Sequence, residues 1–492
     1  MAPEAEPGVA RPPFYMPGNS SIDAIVVGSG PNGLAAGIRL AQAGLSVRIL
    51  EGSDSVGGGV RSAALTLPGF VHDVCSAIHP MAAASPFFRS LDLEQDGLQW
   101  VHPEFPVAHP LDGGRVAAMH RSIDDTASDL GEDGASYRRL IGPLAESWDA
   151  MAGDFLGPIV HWPKHPIRLA RFGLQALLPA RSLAEAHFRT EEARALFAGL
   201  AGHSQIPLDA LASSAIAIVL GAAGHAFGWP MPRGGAQSLA DALAARFRAL
   251  GGEIETGRHV RRLEDLPAAR ATLLDVTVRQ FIQMAGPRLP SRSRYLMERF
   301  RYGSGVFKID YAMSEAVPWT NDVCARAGTI HLGGTLDEIA AAERDVADGR
   351  HPDRPFVLVA EHTRFDPTRA PDGKHTLWAY CHVPHGSTVD MTDQIERQIE
   401  RFAPGFRDCI LERHSMNAVD LERRNPNLIG GDINGGSARL MQLIMRPSAV
   451  PVPYRTPVDG VYLCSASTPP GGGVHGMCGY LAAEAALRDK FS

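Results

Sequence analysis

Residues 23–62, "DAIVVGSGPNGLAAGIRLAQAGLSVRILEGSDSVGGGVRS", decide the fold by the order in which their residue types follow one another. Four apolar residues, Ala24 to Val27, read as a buried strand. Gly28, Gly30 and Gly33 follow at once, with Pro31 and Asn32 between them, and then an alanine- and leucine-rich stretch of helical period. A second apolar run, Val47 to Leu50, ends at Glu51. Strand, glycine turn, helix and strand in this order open a doubly wound parallel sheet, so the expected class is α/β with a Rossmann-type domain.

Each glycine has its own physical task. Gly28 permits the tight turn, Gly30 lets the backbone approach a pyrophosphate, and Gly33 lets helix and strand pack closely. The helix start then offers unpaired N–H groups and a partial positive charge to phosphate. Glu51 is placed to accept hydrogen bonds from ribose hydroxyls and disfavours a 2′-phosphate there. Beyond it, Gly52 and the triplet Gly57, Gly58, Gly59 lead to Arg61, a second flexible loop with a basic tip. NAD does not require such a loop, whereas it can run beside the diphosphate of an extended FAD. No second fingerprint of this kind follows a strand elsewhere, so FAD is the expected cofactor and a dedicated NAD(P)H domain is not expected.

With 492 residues, the chain exceeds one ordinary core, and 45% hydrophobic with 21% charged residues is the balance of a folded soluble protein. A net charge of -7 supplies no basic field for nucleic acid. Six scattered cysteines without a CxxC pair read as reduced thiols in a cytoplasmic protein. Residues 1–21 read as a disordered tail and not as a signal peptide. The apolar stretch from Leu208 to Phe227 is interrupted by Asp209, serines, glycines and His225, which predicts a buried helix in preference to a membrane span. Peripheral membrane contact and the oligomeric state are left open.

Residues 22–104, 226–303 and 425–492 together look like one α/β layer, interrupted twice. The interruptions, 105–225 and 304–424, predict a discontinuous α+β substrate domain. The first is expected to be largely helical; the second carries β-type runs such as "GVFKIDYAM", "PFVLVAEH" and "HTLWAYCHVP". "EIETG" and "HVRRL" read as a strand and its continuation, and Val260 in the latter is counted among the cofactor contacts. "ATLLDV" reads as a further buried strand.

Near the C-terminus, residues 467–480 read "STPPGGGVHGMCGY", between a β-type run and an alanine-rich helix. So much glycine at such a junction implies close approach to bare backbone. Ser465, Gly472, Gly473, Val474 and His475 are therefore assigned to a second wall of the cofactor site. His475 can hydrogen-bond the cofactor or accept a proton, and His79 is a second candidate for catalysis. Arg233 is a candidate for an acidic substrate group or for the flavin, with a surface salt bridge as the alternative. Trp378 and Tyr380, with His382, share one strand face and are candidates to line the substrate cavity. Lys308 either supports the cofactor or snorkels from its strand. His331, His362 and His375 lack neighbours at metal-ligand spacing, and no metal is expected.

Gly28, Gly30, Gly33, Glu51, Gly57, Gly58 and Arg61, then "PMPRGGAQSL", then "VYLCSASTPPGGGVHGMCGYLAAEAAL", resemble the phytoene-desaturase-like FAD-dependent oxidoreductases, a group of carotenoid desaturases and isomerases, retinol saturase and ketolases. The resemblance implies a substrate domain lying over the flavin, a lipophilic substrate and no fixed nucleophile triad. The chain departs from that group in a short segment after "RALGGEIETG" and in His475, where carotenoid enzymes often carry proline. The expected function is removal of a hydride and a proton from an apolar or amphipathic organic substrate, with the flavin reoxidised by oxygen or a quinone. The alternatives are flavin-dependent isomerisation or ketolation of a lipophilic substrate, and a non-catalytic FAD-binding partner protein.

Overall fold

The computed structural model describes residues 22–448 and 450–492; the tail expected at 1–21 lies outside the described residues. Five strands form one parallel sheet in the order Val461–Leu463, Ala271–Leu274, Ala24–Val27, Val47–Leu50 and Glu253–Glu255. The central strand is apolar at every position because both of its faces are covered. Ala24 and Val26 share a core with the helices Pro31–Gln42, Gln237–Ala249 and Met477–Lys490, while Ile25 and Val27 meet Phe281 and Met284 of the helix Val278–Ala285. The predicted continuation at "HVRRL" does not form. The chain leaves the sheet after Glu255, because that strand is the sheet's edge and Gly257 turns left-handed with φ 68°.

A second sheet has seven strands in the order Ile410–Met416, Gly305–Met313, His375–Val383, Val357–Ala360, Ala327–Leu332, Phe105–Pro110 and Val116–Met119. It is antiparallel except where Ala327–Leu332 runs parallel to Phe105–Pro110. The segment 105–225 is largely helical as expected, but it opens on the last two of these strands, which the sequence did not announce. "FPVAHP" and "VAAM" are too short to declare their type, and pairing with a strand more than two hundred residues away decides it. Alternation divides this sheet's residues between two cores. Leu377, Ala379 and Cys381 pack with the helix Thr392–Phe402, whereas Trp378 and Tyr380 point to the opposite side.

On that opposite side lies a helical layer that includes Gly134–Glu146, Glu191–Gly202 and Ser213–Phe227. The last is the buried helix expected within Leu208 to Phe227. Among the described residues, no helix is long and apolar enough to cross a membrane. The architecture is thus a Rossmann-type domain with a separate α+β domain, and the space between them holds the site.

Candidate functional site

The glycine turn is as bare as its sequence demands. A Cβ on Gly33 would lie 2.0 Å from the Gly28 carbonyl oxygen, and one on Gly30 would lie 2.7 Å from Asp275 Oδ2. Gly28 itself has φ 98°, outside the range of ordinary L-residues. Gly30 caps the helix without any side-chain bond and no acidic residue stands in the helix's own first turn, while Asp275 from a neighbouring strand takes the Gly33 N–H. Glu51 is pinned by Ser29, whose N–H and Oγ donate at 2.8 and 2.6 Å, and by Ser53 N–H at 2.8 Å. Its carboxylate is oriented before any ligand arrives.

These groups open on a cavity of about 1550 Å³. That exceeds the roughly 300–1,000 Å³ of a one-ligand site and leaves room for a second molecule beside a dinucleotide. At the nucleotide end stand Gly28, Gly30, Pro31, Asn32, Glu51 and Gly52, with Gly58, Gly59, Arg61 and Val260 beside them. Ser465, Gly472, Gly473, Val474, His475 and His79 also line the cavity, as do Trp378 and Tyr380. Gly33 stays behind the wall in its packing role. Arg233 does not reach the cavity: its side chain is exposed, and its N–H donates to the Gln99 carbonyl at 2.9 Å. The turn at Gly234 and Gly235, both with positive φ, carries it outward, which corrects its assignment to substrate.

Two histidines of this wall are neutral near pH 7. Burial pushes both His475 and His79 down to about 4. Met477 N–H donates to His475 Nδ1 at 3.0 Å, which leaves the proton of the neutral ring on Nε2. That Nε2 is buried without a partner, so His475 is a ready donor and a poor base. His79 Nε2 lies 3.2 Å from Ser76 Oγ, and its Nδ1 has no partner. Gly472 and Gly473 line the cavity, and the glycine run also packs against this chain's own backbone and side chains on its other side. A Cβ on Gly472 would meet Asn434 Oδ1 at 2.6 Å, and one on Gly471 would meet the buried Arg446 Nη1 at 2.2 Å. The close approach there is to this chain's own segment 434–446.

Several functional residues escaped the sequence reading. Asp275 ends the strand Ala271–Leu274 as Glu51 ends its own, lines the cavity, and accepts the Gly33 N–H at 3.0 Å. Burial raises its carboxyl to about 7. Arg258, Arg261, Arg423 and Arg424 join Arg61 on the wall, a donor set suited to a diphosphate. Their signals were "RHVRR" and "ERRNPN", two arginine clusters read as a strand and as part of the other domain. At the inner end, Thr329 Oγ1 and Trp378 Nε1 are buried without partners, and His203 bridges to His331 at 3.0 Å between Nε2 atoms.

Other candidates belong to the framework. Lys308 is 2% exposed and bonded to Asp310, so it does not snorkel. Beside it, burial alone would raise Asp73, but Arg369 at 2.9 Å, His362 and the Ala236 N–H outweigh this and hold its carboxyl at about 2. Arg369 and Asp73 thereby tie the two domains together beneath the cavity. His382 Nδ1 donates to Glu343 Oε1 at 2.7 Å, and His382 is not on the cavity wall. Among the described residues, no group of three or more His, Cys, Asp or Glu side chains is arranged to hold a metal ion.

The glycine-capped helix end, the bare glycines, the oriented carboxylate and the arginine set fit FAD. The sequence profile of the flavin containing amine oxidoreductases matches residues 32–281. A rat relative, pyridine nucleotide-disulfide oxidoreductase domain-containing protein 2, is 26% identical, over 95% of this chain and 93% of its own. The phytoene dehydrogenase of Streptomyces griseus is also 26% identical, over 83% and 80%. Among solved structures, putrescine oxidase bound to putrescine superposes with a TM-score of 0.61 at 18% identity, over 95% of this chain and 98% of that one. At these identities the likeness supports the broad flavoprotein family and the fold, and not the phytoene-desaturase branch that the motifs suggested.

Proposed function

This chain belongs to the flavin containing amine oxidoreductase family and is an FAD-dependent oxidoreductase acting on an organic substrate, and from that premise we propose that it dehydrogenates an apolar or amphipathic molecule. The observation that carries this reading is the character of the cavity beyond the nucleotide end. Leu169, Phe172, Ile216, Val219, Leu220 and Leu358 make its wall there. A long apolar substrate gains about 25 cal/mol for each Å² it buries against such a surface.

When bound, FAD would supply the acceptor for the hydride, with oxygen or a quinone as the final electron acceptor. The chain's own residues do the rest. Gly30 and the start of its helix would hold the diphosphate, assisted by Arg61 and the other arginines, and Glu51 would hold the ribose. His475 Nε2–H would donate to the cofactor and stabilise negative charge there. His79, with an unpartnered Nδ1, relays to solvent the proton that leaves with the hydride and does not retain it, since burial pushes its ring down to about 4. Thr329 Oγ1 and Trp378 Nε1 bind the polar substituent of an amphipathic substrate, since each otherwise remains a buried polar atom without a bond.

Mass spectrometry of the product tests the reading: the substrate must lose two hydrogens and gain no oxygen. A product of unchanged mass would establish isomerisation instead, and one gaining oxygen would establish ketolation. Saturated and mono-unsaturated lipids and long-chain alcohols and amines form the panel. Turnover of short polar amines alone would overturn the apolar assignment.

A further inference from the structure

Seven of the seventeen large hydrophobic side chains that stand exposed among the described residues fall between positions 159 and 178. Scattered singly they would need no account, but a concentration of this kind marks an interaction site. Trp162 is 96% exposed, Ile167 85%, Leu174 75% and Val160 74%. Ile167 and Leu174 are seven residues apart on the helix Pro166–Ala176 and therefore share its outer face. The inner face of the same helix carries Leu169, Phe172 and Ala176, which line the cavity. The helix is apolar on both sides: one looks into the cavity and the other has nothing over it.

The charges around this patch choose its partner. No acidic residue occurs from position 155 to 184, although the whole chain carries -7. Lys164, Arg168 and Arg171 are exposed, and none of them forms an ion pair among the described residues. Exposed tryptophan and leucine interleaved with free cations is the pattern of a helix that lies in the headgroup region of an anionic bilayer. The patch also continues into the cavity. Ile159 and Leu177 are each about half exposed and each line it, and Leu177 accepts a bond from Ala212 N–H that places the exposed Leu211 beside them.

We propose that the segment from Ile159 to Leu178 docks the protein on an anionic lipid surface, with the cavity mouth between Ile159 and Leu177 facing the bilayer. An apolar substrate dissolved in the lipid then passes into the cavity without crossing water. The helix lies on the membrane and does not span it. The route for substrate rests on the functional reading above; the docking does not, and the test reads binding and not turnover.

The FAD-loaded protein is floated with vesicles of phosphatidylcholine alone and of phosphatidylcholine with phosphatidylglycerol at low salt. Three cations at the surface predict binding to the anionic vesicles about 100-fold tighter than to the neutral ones. Trp162→Ser combined with Ile167→Ser and Leu174→Ser changes only exposed residues outside the cavity wall, so flavin content stays constant while vesicle binding falls tenfold or more. Lys164→Gln with Arg168→Gln and Arg171→Gln removes the preference for anionic lipid. Failure of the parent protein to float with either vesicle, or unchanged flotation of the serine variant, would overturn the proposal. So would a stable dimer in sedimentation that the serine variant dissociates, because a second copy would then own the face.

Discussion

Asp275→Asn is the perturbation whose consequence follows most directly from the structure. The carboxyl is enclosed at the end of its strand, and burial raises it from 3.8 to about 7, with the Gly33 N–H pulling weakly the other way. The folded state therefore holds this proton more tightly than the unfolded chain does. The stabilisation is complete below pH 3.8, declines as pH rises, and is lost once pH passes about 7. At about 1.36 kcal/mol for each pH unit, the interval between those values amounts to about 4 kcal/mol. Asparagine keeps an oxygen for the Gly33 N–H and has no proton to lose. Thermal melts of the apoprotein, followed by circular dichroism from about pH 5 to about pH 8, compare the two. The variant is expected to gain on the parent as pH rises, and to melt several degrees higher at the alkaline end. A difference that does not change with pH, or a variant less stable at the alkaline end, would refute the reasoning.

The glycines separate into two kinds. Gly33→Ala places a methyl 2.0 Å from the Gly28 carbonyl and should abolish folding of the FAD domain, whereas nothing lies within 4 Å of a Cβ on Gly59. Gly59→Ala should melt like the parent as apoprotein, and any loss of flavin content would then report the cofactor passing against it. His475→Ala removes both the partner of the Met477 N–H and the donor at Nε2, and should slow substrate-driven flavin reduction by about 10²-fold. Because His475 titrates at about 4, the rate above about pH 6 should show no inflection that this variant removes; a lost inflection near neutrality would return the residue to a base. Trp378→Phe keeps the ring and removes Nε1–H, so KM should rise about tenfold for substrates with a polar terminus and stay unchanged for hydrocarbons.

The Rossmann-type domain was legible because its chemistry is local. Gly28, Gly30 and Gly33 must stand within six residues of one another, and Glu51 must end the next strand. Asp275 sits in the equivalent place one strand further on, yet no short motif surrounds it, and only the fold brings it to Gly33 across 242 positions. The arginines at 258, 261, 423 and 424 were visible as clusters, but their convergence on one wall depends on two crossings between domains. Phe105–Pro110 failed for a related reason: its strand state is conferred by Ala327–Leu332 and not by its own residues. The "PPGGGVHG" segment lines the cavity, but the packing of Gly471 and Gly472 against Arg446 and Asn434 was not legible, because those partners come from a segment without a recognisable pattern. Exposed Trp162, Ile167 and Leu174 left no trace in the sequence, because an apolar helix face looks the same whether it is covered or not.

The central claim is that an apolar or amphipathic molecule in the cavity gives up a hydride to the flavin. Anaerobic mixing of the FAD-loaded protein with single members of the lipid, alcohol and amine panel tests it in one step, with absorbance followed in the flavin's visible band. The account predicts that an apolar or amphipathic member bleaches the band in proportion to product formed, one equivalent for each flavin, and that admitting oxygen or a quinone restores the colour. A band that stays oxidised across the panel, while dithionite reduces it freely, would contradict the account.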